Sequence, residues 1–175
     1  MVEGCRRRNA KAQRTLYDEM APMVSGVCAR FASCHDEAQD MMQDAFIKVF
    51  ERISALDDSA CLQAWVHTIA VNTCLDHLRK RRRWQLLGDI DEMVSAVDFD
   101  PFPAEEIVAE IQRLTPMLRT VFNLCDVEGY TIEETAQLVG SNRQAVRTAL
   151  SRARSELRKE LATKKEHMMT LGIRK

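Results

Sequence analysis

Residues 131–161, TIEETAQLVGSNRQAVRTALSRARSELRKEL, constrain the fold of this chain more than any other stretch. Thr131 stands three residues before Glu134, the spacing at which a hydroxyl and a carboxylate cap a helix start reciprocally. Ile132, Thr135, Ala136 and Val139 then give a short helix one inner face. Gly140 follows where a left-handed residue ends such a helix, and Asn142 is a cap for the next one. In that second helix Val146, Ala149, Leu150, Ala153 and Leu157 recur at helical spacing as a core stripe. Arg143, Gln144, Arg147, Thr148, Ser151 and Arg152 lie opposite and beside it. Two helices joined by a glycine turn, the second with a basic outer face, are the plan of a helix-turn-helix. Arg and Gln bond base edges in pairs, and Thr and Ser suit bases or phosphates. Arg154, Arg158 and Lys159 extend the charge toward the DNA backbone. A basic helix face alone is as often merely solvated. The glycine turn and both caps shift the balance toward DNA.

The expected fold class is all-α, with two small helical domains joined by a linker, because no run of alternating Val and Ile reads as a strand. The first domain is expected over residues 10–84, the linker over 85–106 and the second domain over 107–161. Helical patterns run over about residues 10–31, 36–53 and 62–83, with Asp36 as an N-cap and residues 54–59 as a loop. Pro22 predicts a kink or break in the first of these. Residues 88–103, GDIDEMVSAVDFDPFP, are acidic and hold two prolines without a sustained helical stripe, as a linker does. Helix resumes over 104–114. Thr115 and Pro116 then open another helix through Cys125, with a turn at Glu128-Gly129-Tyr130.

The net charge of −1 hides strong local asymmetry. Arg79-Lys80-Arg81-Arg82-Arg83 is a run of five cations, whereas residues 88–110 hold eight acids and no Lys or Arg. On the helix over 62–83, Asn72, Asp76, Arg79, Lys80 and Arg83 form one polar stripe, with Trp65, Ile69, Leu75 and Leu78 on the core side. An Asn on that stripe suits a base edge, and the Arg run suits phosphates. The preceding helix is acidic in its first half, at Asp36, Glu37, Asp40, Gln43 and Asp44. Those acids either complement the helix dipole or face a basic protein partner.

Six cysteines show no CxxC pair, and Cys28, Cys74 and Cys125 lie among apolar residues as small hydrophobes. No cofactor or metal is expected. No nucleophile–base pair or phosphate-binding glycine loop stands out, so no enzyme activity is expected. Lacking an apolar run of membrane length and a secretory signal, the chain is expected in the cytoplasm. No fused regulatory domain is expected after Lys175.

The blocks DEAQDMMQDAFIKVF, AWVHTIAVNTCLDHLRKRRR and the helix-turn-helix ending ALSRARSELRKEL, in this order, resemble bacterial sigma factors of the sigma-70 family, extracytoplasmic-function group. The resemblance implies that Asp36, Glu37, Asp40, Gln43 and Asp44 bind the clamp of the largest subunit of core RNA polymerase. It implies that Asp58 and Ser59 of a base-capturing loop, with Trp65, Asn72, Asp76, Arg79, Lys80 and Arg83, recognise and melt the minus-ten promoter element. Arg143, Gln144, Arg147, Thr148, Ser151 and Arg152 would then read the minus-thirty-five element. The flap of the second-largest subunit and an anti-sigma factor are further implied partners. Ser141 departs from the family's apolar turn residue, and Cys61 and Leu62 from the usual loop composition. Two other readings stand beside this one: a conventional dimeric regulator of duplex DNA, and a thiol- or metal-based sensor.

Overall fold

The computed structural model describes residues 1–57, 61–86 and 106–170. It divides into two compact units, Met1–Phe99 and Asp100–Lys175. No strand is present among the described residues. No helix among them is long and apolar enough to cross a membrane.

The first unit holds α1 (Val2–Arg6), α2 (Ala10–Phe31), α3 (His35–Arg52), a 3-10 turn (Ile53–Ala55) and α4 (Leu62–Leu86). Its core is where three apolar stripes meet. Leu16, Val24, Val27, Cys28 and Phe31 come from α2, Met41, Ala45, Phe46 and Val49 from α3, and Val66, Ala70, Val71, Cys74 and Leu75 from α4. Each large side chain fully buried in such a core contributes about 1.5–3 kcal/mol. Thr73 is buried in the same layer, and its hydroxyl donates to the Ile69 carbonyl at 2.8 Å, so the core carries no cost for it. Ile69 and Leu75 are buried as the stripe predicts, whereas Trp65 and Leu78 are only half-buried at its margin.

Four local expectations are corrected. Helix α2 runs unbroken through Pro22. The residue lies on an exposed side, where the carbonyl deprived of its helical donor can turn to water. Cys34, not Asp36, is the N-cap of α3, and it makes no side-chain capping bond. Glu37 reaches back past the N-cap, its carboxylate accepting from the Ser33 backbone N–H. Residues 54–59 are only partly loop, since Ile53–Ala55 is a 3-10 turn. Helix α4 continues to Leu86, past the expected end at 83. The acidic segment 88–103 lies outside the described residues.

The second unit holds α5 (Glu106–Arg113), α6 (Pro116–Phe122), a π turn (Asn123–Val127), α7 (Ile132–Leu138) and α8 (Arg143–Thr170). Thr115 and Pro116 open α6 as expected. The helix does not stay α to Cys125. It widens into the π turn, closed by the Glu128 N–H donating to the Asn123 carbonyl at 2.8 Å. The extra residue per turn lets consecutive Asn123 and Leu124 both point inward, each at 0% exposure. Ile111, Leu114, Leu118, Val121, Val146, Leu150, Ala153 and Leu157 form a core cluster of this unit.

Candidate nucleic-acid interface

Helix α7 starts on a complete capping box. The Thr131 hydroxyl accepts from Glu134 N–H at 3.2 Å, and the Glu134 carboxylate accepts from Thr131 N–H at 2.8 Å. The Thr131 N–H, and after it the Thr131 hydroxyl donating to Glu134 Oε2 at 2.8 Å, lower the Glu134 carboxyl from its ordinary range. Gly140 takes φ +61, the left-handed conformation that a side chain would strain. Asn142 Oδ1 then accepts from Ala145 N–H at 2.8 Å and opens α8. The departure at Ser141 is absorbed by the backbone, its N–H donating to the Ala136 carbonyl at 2.9 Å.

The two capped ends fix the angle at which α8 leaves the turn, and its buried stripe fixes its rotation. Val146, Ala149, Leu150, Ala153 and Leu157 face inward. Arg143, Gln144, Arg147, Thr148, Ser151 and Arg152 are all exposed. They fall in two adjacent rows at four-residue spacing, so one face presents guanidinium, amide and hydroxyl groups together. Two arginines of α8 are engaged. Arg143 donates to Glu133 Oε1 at 3.0 Å across the turn, and that bond lowers the Glu133 carboxyl from its ordinary range. Arg154 forks onto Asp126 of the π turn at 2.8 and 2.5 Å. Arg147 and Arg152 make no ion pair among the described residues, leaving both for an external anion.

On α4, Asn72, Arg79 and Lys80 are exposed in one row. Asp76, within that row, is half-buried and held from both sides, by Lys48 Nζ of α3 at 3.1 Å and by Arg79 Nη1 at 3.3 Å. Its carboxylate therefore braces α3 and orients Arg79. Asp58 and Ser59 lie outside the described residues, as does the side chain of Arg83. Leu62 is buried at the first turn of α4 and belongs to the core, while Cys61 is exposed beside it.

The acidic set on α3 separates into two groups. Asp36, Asp40 and Gln43 are exposed on its outer side. Glu37 and Asp44 turn toward α4, where Glu37 stands 3.6 Å from Arg81 and Asp44 lies 2.8 Å from His77 Nε2. With Lys48–Asp76 these pairs form a polar ladder along the α3–α4 seam. Sequence spacing could not separate the groups, because only the packing of α4 reveals which acids have a guanidinium or an imidazole opposite them.

Two buried charged groups in the second unit, Arg119 and Glu110, carry no signal in the sequence. Arg119 is 5% exposed, and its Nη2 donates to the carbonyls of Gln112 and Leu114 at 2.8 and 3.1 Å. Glu110 is 1% exposed and receives Arg113 Nη1 at 3.0 and 3.2 Å. No residue-type signal distinguishes such an Arg or Glu from a solvated one before the helices are packed.

Cys5, Cys28 and Cys74 are buried, as small hydrophobes are. Cys28 and Cys74 stand 3.9 Å apart between α2 and α4, a contact that, with burial, pushes the Cys74 thiol well above its ordinary range. A thiol so displaced is a poor nucleophile at neutral pH. Among the described residues no group of three or more His, Cys, Asp or Glu could hold a metal ion.

These features define a helix-turn-helix protein with a second helical unit that presents its own basic row. The sigma-70 region 2 model matches residues 16–84, and the sigma-70 region 4 model matches residues 104–157. The chain belongs to the sigma-70 family. It is 28% identical over 156 positions to the ECF RNA polymerase sigma factor SigE of Mycolicibacterium smegmatis, covering 84% of this chain and 60% of that protein. It is 27% identical to the RNA polymerase sigma-H factor of Pseudomonas aeruginosa, covering 92% of both chains. The chain spans less than two thirds of the length of several other curated relatives it matches, such as 43% of SigG from Mycobacterium tuberculosis. The solved structure of the sigma factor RpoE with the anti-sigma factor NepR from Bartonella quintana shares the fold, at a TM-score of 0.56 and 23% identity. That match covers 87% of this chain and 98% of that one.

Proposed function

We propose that this chain is a promoter-specificity subunit of RNA polymerase. It binds core polymerase in the cytoplasm through the outer face of α3, reads minus-thirty-five duplex with α8, and reads and holds melted minus-ten DNA along α4. The observation that carries the reading is the pairing of two exposed, cation-bearing helix rows with two different sigma-70 region matches, in the family's order. A dimeric regulator of duplex DNA needs only the second of those units. The role is non-catalytic. Opening DNA costs about 1.4 kcal/mol of stacking per step. Cations along the strand and contacts to unstacked bases offset part of that cost. An anti-sigma partner that covers these surfaces belongs to the same reading.

Run-off transcription with core polymerase on a genomic fragment library tests it. RNA from discrete start sites, dependent on the chain, is the expected result. No RNA, together with tight binding of duplex operators by the chain alone, would overturn the proposal. Two substitutions refine it. Asn72→Ala removes an exposed amide from the α4 row and is expected to weaken open-complex formation by about 1–3 kcal/mol. Permanganate footprinting and closed-complex affinity, measured together, should show the loss at the open stage only, and equal loss at both stages refutes the assignment. Arg147→Ala is expected to cost about 1–3 kcal/mol at a single minus-thirty-five position. Arg147 is preferred to Arg143 because Glu133 already holds the latter. An unaltered base preference in a minus-thirty-five mutant panel removes Arg147 from the reading face.

A further inference from the structure

The first fourteen residues hold Arg6, Arg7, Arg8, Lys11 and Arg14 against a single acid, Glu3. They precede residue 16, where the region 2 match begins. They are nevertheless built into the first unit. Cys5 of α1 is buried, and Gly4 backs onto Ala12 so closely that an added Cβ would stand 2.6 Å from the Ala12 methyl carbon. Arg6 donates from Nη2 to the carbonyl of Leu56, which fastens α1 to the chain shortly before α4 begins. The turn into α2 is closed by Arg8 N–H to the Cys5 carbonyl and Asn9 N–H to the Gly4 carbonyl, both at 2.9 Å.

That turn places Arg8 at φ +56, the only non-glycine residue with positive φ among the described residues. Glycine is the relaxed residue there, and an L side chain costs stability. A strained arginine at a position that asks for glycine points to work done by its side chain. Arg8 and Lys11 are exposed and form no ion pair among the described residues, while Arg6 and Arg7 share Glu3 at 3.5 and 3.0 Å. Exposed cations spread along a surface suit a spaced row of phosphates.

We propose that α1 and the turn behind it form a nucleic-acid contact surface, in which Arg7, Arg8 and Lys11 hold backbone phosphates of the DNA strand that lies along α4. This rests on the strand-binding reading of α4 given above. The Arg6–Leu56 bond ties the surface to the residue that ends the 3-10 turn, which precedes that helix in the sequence.

The test titrates a labelled single-stranded oligonucleotide with the full chain over a salt series and compares three proteins: parent, Arg8→Gly with Lys11→Ala, and Lys80→Ala. Each lost phosphate contact lowers the slope of log K against log salt by about 0.7 on single strands. The double variant is expected to lose about 1.4 from the slope by that rule. It should also melt at or above the parent temperature, because glycine relieves the backbone. Lower binding in a protein that is no less stable is a result that a purely structural role for Arg8 does not produce. A parental slope in the double variant overturns the inference. If Lys80→Ala still lowers the slope, only the α1 surface fails; if it does not, the α4 reading fails too. Should Arg8→Gly disturb folding, Lys11→Ala alone must lower the slope by about 0.7, and an unchanged slope overturns the proposal equally.

Discussion

Replacing Asp36 and Asp40 together by Lys is expected to lower affinity for core RNA polymerase at least ~100-fold while α3 stays folded. Both acids are exposed on the outer side of that helix, and neither forms an ion pair among the described residues. On the docking proposed for this face, each reversal would turn an attractive contact with a basic partner into a like-charge one, which costs several kcal/mol when the contact is desolvated. The cost to the free protein is far smaller. Asp36 lies in the first turn, where losing a favourable charge to the helix dipole costs about 0.3–1 kcal/mol. Asp40 lies beyond that turn. Co-purification with core polymerase and helical circular dichroism, read together, separate the two effects. Undiminished co-purification would remove α3 from the docking surface. Asp44→Lys is the less informative variant. Its carboxylate faces His77 at 2.8 Å, so reversal sets a cation against the α3–α4 seam and confounds docking with folding.

Arg119→Met is expected to destabilise the second unit by about 2–4 kcal/mol. Hydrogen bonds from a charged donor are worth about 1.5–3 kcal/mol each, and losing them leaves buried acceptors without their partner. The guanidinium binds the carbonyls of Gln112 and Leu114, at the end of α5 and just beyond it, and so ties α6 to that corner. Met preserves the aliphatic bulk, which isolates the lost hydrogen bonds from a cavity effect. Urea unfolding followed by the melting of helix should show one transition moved to lower denaturant. Duplex binding by α8 should weaken at temperatures where that transition begins. An unmoved unfolding curve would mean that water takes over both carbonyls at no cost.

The helix-turn-helix was legible almost atom by atom, because each of its signals is local. The Thr131–Glu134 box, the left-handed Gly140 and the Asn142 cap act over three or four residues, a range at which spacing dictates geometry. The outward rows of α8 and α4 followed from helical period alone. Pro22 and Asp36 were misjudged for a related reason. Local rules name several acceptable caps and breaks, and the packing of α2, together with the reach of Glu37, selects among them.

Local pattern in the chain itself determined most of the helices, the division into two units and the outward-facing polar rows, since these depend on periodicity and on the chemistry of neighbours, but it gave no sign of α1 or of the π turn. Tertiary structure alone decided which charges remain for a partner. Glu37 and Asp76 are spent on cations across the α3–α4 seam, where Asp44 bonds the His77 ring, Arg143 and Arg154 are spent within the second unit, and Asp36, Asp40, Arg147 and Arg152 are left over. A charge is neutralised by whatever the fold places within about 4 Å of it, and residues 28 to 44 positions apart meet there only once helices have packed.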